Sequence, residues 1–202
     1  MKKIIINKWE KELFIIDVLI SLIVLILIDT IRMDLVMIVA FFFIFPYLIL
    51  SKRTLAILHL SVAISISLIW NLIAQDYYGY NLNMISIFGI NLYPLFAWSL
   101  GLFGVYLIFS HIEHKLINQN FLMKFSLFIL IFWTLLISVE TIAYHIFDLR
   151  NLVTSNYIGL PICNCIHAPF WMQLSYLLMG PIYFILCEIF KLKNPNIIKN
   201  EI

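Results

Sequence analysis

Six apolar runs, at about 13–29, 34–50, 54–74, 90–110, 121–143 and 170–190, constrain this chain more than any other feature. Each approaches the roughly 20 residues a helix needs to cross the hydrocarbon layer of a bilayer. A soluble domain clothes its surface with roughly 25% charged residues. Here 12% are charged and 63% hydrophobic, with a mean hydropathy of +1.02, so the solvent is lipid. Backbone groups in lipid must be satisfied internally, which leaves helices as the spanning element. The strands of a lipid-facing barrel would alternate apolar and polar residues, and these runs do not. The expected fold is an all-α integral membrane protein of six transmembrane helices, one domain over residues 1–202. The opening "MKKIIINKWEKELFIIDVLISLIVLILI" has the basic start and apolar stretch of a secretory signal, but "DTIRMD" follows without a small-residue cleavage site, so it reads as a retained first helix.

Charge gives the threading. With six spans, one set of connections and ends holds Lys2, Lys3, Lys8, Lys11, Lys52, Arg53, Lys115, Lys124, Lys191, Lys193 and Lys199. The other set holds Arg32 and Arg150. Eleven against two accounts for all thirteen basic residues, and the positive-inside rule then places both termini in the cytoplasm of a cell-membrane protein. The two long connections, 75–89 and 144–169, fall on the outer side.

A net charge of +2 with scattered basic residues, and no RNA- or DNA-binding motif, excludes a nucleic-acid partner. There is no Walker loop, no Gly-x-Gly-x-x-Gly, no Gly-x-Ser-x-Gly and no His-Glu-x-x-His. Paired aspartates that would hold magnesium and a diphosphate are absent too, since Asp76 and Asp148 are solitary. No cofactor is expected on these grounds.

The two outer connections echo each other. Residues 70–98 and 140–171 each leave a helix through Ile-Ala, at Ile73-Ala74 and Ile142-Ala143. Each passes a Tyr- and Asn-containing loop to "IFGI" or "YIGL" and re-enters with proline and tryptophan, at Pro94 and Trp98 or Pro169 and Trp171. Any two interfacial loops converge on this chemistry, because Trp and Tyr favour the headgroup level and Pro suits a first helical turn. The sharper reading is a duplicated helical hairpin, spans 3–4 and 5–6, whose loops face one site.

In "CNCIH", Cys163, Cys165 and His167 share a face if the segment is extended. Thiolates and imidazole suit zinc or copper, with His145 as a fourth ligand. Cys-x-Cys is not the usual structural-zinc spacing. A disulfide or redox role, and simple packing where the chain re-enters the membrane, stay open beside the metal reading. "HIEH" (111–114) cannot join this site: a span at 1.5 Å rise separates the faces by about 30 Å, and metal ligands sit about 2 Å from the ion. It reads as the interfacial polar end of a helix.

Ionisable residues inside a bilayer cost about 2.5–3.5 kcal/mol at mid-helix on insertion scales and are functional candidates by default. Glu140, in "LLISVETIAYH", has apolar neighbours before it, a setting suited to proton donation. His145 and Asp148 follow it on the outer side. Asp17 is a second candidate; Asp29, Asp34 and Glu188 lie near span ends, where solvation accounts for them. His59 reads as a hydrogen-bonded packing residue, and Ser61 and Ser65 as small residues that permit close helix packing.

At "FGINLYPLFAWSLGLF" and "NYIGLPICNCIHAPFW" the chain resembles the membrane proteins of carotenoid biosynthesis, the bacterioruberin-type hydratases and the heterodimer-type lycopene cyclases. Gly159, Pro161, Asn164 and Trp171 match one family loop, and Gly89, Pro94 and Trp98 the other, within residues 65–190. The cyclases' Pro-x-Glu-Glu/Asp is missing. The resemblance implies an enzyme that hydrates or cyclises a double bond of a long isoprenoid or carotenoid-like lipid. Glu140 would donate the proton, His145 and Asp148 would position water, and Tyr77, Tyr78, Trp98, Asn164 and Trp171 would contact the substrate. Two readings from other classes stand beside it. One is a small transporter or accessory subunit, working as a homo-oligomer or with a membrane-protein partner; the other is a metal-binding membrane protein using Cys163, Cys165 and His167.

Overall fold

A computed structural model describes residues 5–6, 10–80, 84–116 and 119–198. Six helices follow one another: α1 (Glu10–Thr30), α2 (Met33–Leu50), α3 (Ala56–Ala74), α4 (Leu92–Glu113), α5 (Phe121–His145) and α6 (Phe170–Ile189). All six are long and apolar enough to cross a membrane, and the protein is an all-α, multi-pass membrane protein. An even number of spans leaves both ends on one side. There β1 (Ile5–Ile6) pairs antiparallel with β4 (Ile197–Ile198), Ile5 opposite Ile198. Lys2, Lys3, Lys8 and Lys199 lie outside the described residues.

Helix ends follow local chemistry. Asn91 caps α4 by accepting from the Tyr93 N–H at 3.0 Å, and Asn120 caps α5 by accepting from the Met123 N–H at 2.9 Å. Pro46 and Pro181 sit inside α2 and α6, which lipid-embedded helices tolerate where neighbours re-satisfy the backbone. α4 is the central helix and packs on each of the other five. Its buried face, with Leu102, Phe103 and Phe109, meets Leu60 and Ala63 of α3, Phe128 of α5, and Tyr183 and Phe184 of α6. α5 and α6 approach closely at Gly180, where a Cβ would run into the Phe132 ring. α1 packs on α2 and α4, and α5 on α4 and α6.

The serines of α3 satisfy themselves. Ser61, Ser65 and Ser67 donate to the carbonyls of Ile57, Ser61 and Ala63 at 2.8–2.9 Å. Ser67 is buried, whereas Ser61 and Ser65 are exposed, so the expected close packing through that pair is not made within this chain. His59 does pack as expected, its ring stacked on Tyr106 at 3.9 Å and its Nε2 3.2 Å from the Lys193 carbonyl.

On the side opposite the termini, β2 (Ser86–Ile87) and β3 (Ile90–Asn91) form a minimal hairpin. Its turn residues Phe88 and Gly89 both have positive φ, 52° and 81°, the backbone twist that two-residue hairpins favour. The second "-Gly-" turn closes through a bridge between Leu160 and Cys165. Gly159 serves there for room: a Cβ would lie 2.9 Å from the Cys165 carbonyl oxygen. The two echoing turns thus need glycine for different reasons. The long connections meet, clasped by Asn151. Its Oδ1 accepts from the Gly79 N–H at 3.0 Å, its Nδ2 donates to the Tyr77 carbonyl at 2.6 Å, and the Leu152 N–H donates to the Gly79 carbonyl at 2.8 Å.

Candidate functional site

Between α1, α2, α4 and α5 runs a crevice of about 490 Å³, within the range typical of small-molecule sites. Along α4 it extends from Tyr93 to Ile108, about 22 Å at 1.5 Å per residue. Its floor exists because α4 carries small residues on one face. Ala97, Gly101 and Gly104 line it, and a Cβ added at either glycine would meet nothing within 4 Å. The walls are apolar, with Val24 and Leu25 of α1 and Leu135 and Leu136 of α5 among them. Leu22 and Val139, on opposite walls, are 50% and 42% exposed, so the crevice reaches the lipid-facing surface between α1 and α5.

The end remote from the chain termini is polar and aromatic. Glu140 faces the crevice together with Tyr78, Tyr80, Tyr93, Trp98, Tyr144 and Tyr176. Its carboxyl makes no hydrogen bond to the described residues. Burial holds the Tyr78 and Tyr80 phenols above the ordinary tyrosine range, so both stay neutral. The Tyr78 oxygen receives the indole N–H of Trp70 at 2.7 Å and of Trp98 at 3.1 Å, and stands 3.1 Å from the Tyr176 hydroxyl.

Of the residues singled out from sequence, Glu140, Tyr78 and Trp98 converge here, and His167 also lines the crevice. Tyr77, His145, Asp148, Cys163, Asn164, Cys165 and Trp171 do not line it. His145 ends α5 with its Nε2 2.9 Å from the Cys163 carbonyl, and Asp148 is exposed and paired with Arg150 at 2.7 Å. Neither lines the crevice with Glu140. Tyr77 and Trp171 pack edge-on against each other, ring centroids 5.3 Å apart, away from the cavity. Asn164 sits at the tip of the Leu160–Cys165 turn with a φ of 45°. Tyr80, Tyr93, Tyr144 and Tyr176 went unremarked in the sequence, where nothing separates them from interfacial tyrosines.

Cys163 and Cys165 are joined in a disulfide. Both sulfurs are therefore committed to each other, where a metal would need them as thiolates. His167 directs its Nδ1 at the Tyr157 carbonyl, 2.7 Å away, and its Nε2 at the Asn164 carbonyl, 3.2 Å away. Among the described residues no group of three His, Cys, Asp or Glu side chains is arranged to hold a metal ion. Just beyond the bridge Ile166 has a φ of 48°, costly for a β-branched residue. Gln173 holds the same turn by donating to the carbonyls of Ile158, Ile166 and Ala168 at 2.7–3.2 Å.

The end of the crevice on the side of the chain termini carries Asp17 and Tyr47. Asp17 is buried and accepts from Arg53 Nη1 at 2.7 Å and Nη2 at 2.8 Å, and from the Tyr47 hydroxyl at 2.5 Å. His111 Nε2 lies 2.9 Å from its other oxygen. Burial works against the Arg53 cation, but its bonds to Asp17 outweigh that and raise it above the ordinary guanidinium range. The "HIEH" segment is therefore more than a polar helix end. His111 is buried in this network, His114 lies 3.2 Å from Glu10, and Glu113 accepts from Asn194 at 2.7 Å. Asp34 likewise is not a solvated end residue: it is buried, bridged to Arg32 at 2.7 Å, and accepts from the Ile85 N–H at 2.9 Å.

Comparison with models of protein families, with curated proteins and with solved structures finds no match to this chain.

Proposed function

We propose that the protein is a membrane-embedded enzyme that binds a long isoprenoid-type chain in the crevice and adds water to, or cyclises, one of its double bonds, with Glu140 as the acid. The observation that carries this reading is the Glu140 carboxyl, without a hydrogen bond to the described residues and set among aromatic rings at the end of an elongated apolar cavity. Intramembrane carboxyls are expensive, and one left unpaired toward a cavity is best explained by what the cavity receives. The Glu140 proton would pass to one alkene carbon, forming a C–H bond and leaving a cation on its neighbour. Rings such as Tyr78 and Trp98 present negative faces to that charge. Water then bonds to the cation and returns a proton to the Glu140 carboxylate, or a second double bond closes on it and the new ring loses a proton to that same carboxylate. Atoms balance without a cofactor, as the resemblance to carotenoid hydratases and cyclases implies.

Two observations support cytoplasmic termini. Basic residues divide eleven to two between the sides, and the connection on the poorer side holds a disulfide, a bond that persists in oxidising, extracytoplasmic settings.

The test uses proteoliposomes loaded with an acyclic isoprenoid polyene, with products read by mass spectrometry. Wild type should yield a water adduct or a cyclic isomer. Glu140→Gln should yield neither while staying in the membrane at normal levels. Full activity in that variant refutes the mechanism.

A further inference from the structure

Hydrogen-bond accounting around Tyr78 gives direction to a chain of donors that ends in the crevice. An indole N–H can only donate, so the Tyr78 oxygen accepts from both Trp70 and Trp98. With two protons already directed at it, that oxygen is saturated as an acceptor. Were the Tyr176 hydroxyl to donate as well, Tyr78 would hold three incoming protons and its own would have no acceptor. The Tyr78 proton therefore goes to the Tyr176 oxygen, 3.1 Å away. This leaves the Tyr176 proton without an acceptor among the described residues. Tyr176 is 8% exposed and lines the crevice beside Glu140. A buried donor left unmet is destabilising, and each link upstream polarises the next and strengthens the last.

We propose that the Tyr176 hydroxyl donates to an uncharged oxygen on the occupant of the crevice, so that the site prefers an isoprenoid carrying a hydroxyl or carbonyl over the bare hydrocarbon or a diphosphate ester. The proposal rests on reading the crevice as the lipid site. Selection against an anionic head follows from the lining: among the described residues it contains no Lys or Arg, while Glu140 and Asp17 both line it. The Arg53 guanidinium is taken up by Asp17 and Tyr47, and that of Arg150, which lies over the Tyr144 ring at 4.9 Å, is paired with Asp148 at 2.7 Å. Tyr176 is thus a specificity residue, pre-oriented by two tryptophans, one of which, Trp70, does not line the crevice.

The experiment is competition against tritiated geranylgeraniol on the full chain in lipid nanodiscs, using geranylgeraniol, its diphosphate and the hydrocarbon of the same skeleton. The alcohol should compete about tenfold better than the hydrocarbon, the worth of one buried hydrogen bond, and the diphosphate worst. Tyr176→Phe removes the donor and keeps the ring; it should bring the alcohol down to the hydrocarbon's level and leave the hydrocarbon unchanged, which also reports that the crevice is intact. Trp70→Phe frees an acceptor site on Tyr78, lets Tyr176 turn its proton back, and should give an intermediate preference. An unchanged preference for the alcohol in Tyr176→Phe, or tightest binding by the diphosphate, overturns the proposal. If Gly104→Leu abolishes alcohol binding while Tyr176→Phe does not weaken it, the crevice stands as the lipid site and the role of Tyr176 falls. If none of the probes binds the wild type, both fall.

Discussion

Arg53 holds Asp17 with both terminal guanidinium nitrogens, at 2.7 and 2.8 Å, across 36 residues of sequence. The pair fastens the α2–α3 connection to α1, and Tyr47 and His111 complete its hydrogen bonding. Removing one partner of such a pair strands the other charge, at a cost of about 3–5 kcal/mol, whereas replacing both with apolar groups is often close to neutral. Arg53→Met should therefore destabilise the protein by several kcal/mol in detergent unfolding, and Asp17→Leu combined with Arg53→Met should recover much of the loss. A single variant as stable as wild type would show that the pair does not hold α1.

Gly104 is a site where bulk should be tolerated by the fold and not by the function. Its Cβ would point into open space, and Gly in a helix interior costs roughly 0.5–1 kcal/mol relative to Ala. Gly104→Leu should keep or raise the unfolding temperature while lowering the capture of an isoprenoid alcohol by about tenfold or more, a loss set by the displaced apolar contacts. Normal binding by the filled variant would remove the crevice from consideration.

Gly180 should behave in the opposite way. A methyl group there meets the Phe132 ring, and overpacking of this kind costs about 1–3 kcal/mol. Gly180→Ala should lower the unfolding midpoint, and adding Phe132→Leu should restore part of it. The double-mutant cycle measures whether α5 and α6 truly meet at this point.

The clasp between the two long connections is concentrated in one side chain. Asn151→Ala deletes the acceptor for the Gly79 N–H and the donor to the Tyr77 carbonyl, which predicts a loss of about 1–3 kcal/mol. Faster amide exchange confined to residues 77–79 and 151–153 would report the opening. Unchanged exchange there would contradict the clasp.

Threading has a chemical test. Cys187 is buried, and Cys163 and Cys165 are bridged. Intact cells should therefore take up no impermeant maleimide until an impermeant reductant is added outside, and Cys163→Ser with Cys165→Ser should abolish the labelling. Labelling that requires opened cells would invert the assignment of sides.

Span number and position were readable because ~20-residue apolar runs have few alternatives in a bilayer; all six predicted segments coincide with α1 to α6 to within a few residues. Glu140 was readable because an intramembrane carboxyl is rare. Its companions were not: Tyr80, Tyr93 and Tyr176 come from a loop and two helices, and only tertiary packing brings them to one cavity. Asp17, Arg53 and His111 stand far apart in the chain, so local context marks Asp17 as an intramembrane carboxyl and leaves Arg53 in a connection and His111 at a helix end, while the fold buries all three in one network. The same limit applies to Cys163 and Cys165. Alternation shows that two cysteines share a face, but not whether their sulfurs bond to each other or to a metal.

The gap between Leu22 and Val139 has a kinetic corollary. A molecule dissolved in the bilayer can slide sideways into the protein without passing through water, so occupancy should track its mole fraction among the surrounding lipids. Dilution of the vesicles in buffer should leave turnover untouched, whereas dilution with inert phospholipid should slow it.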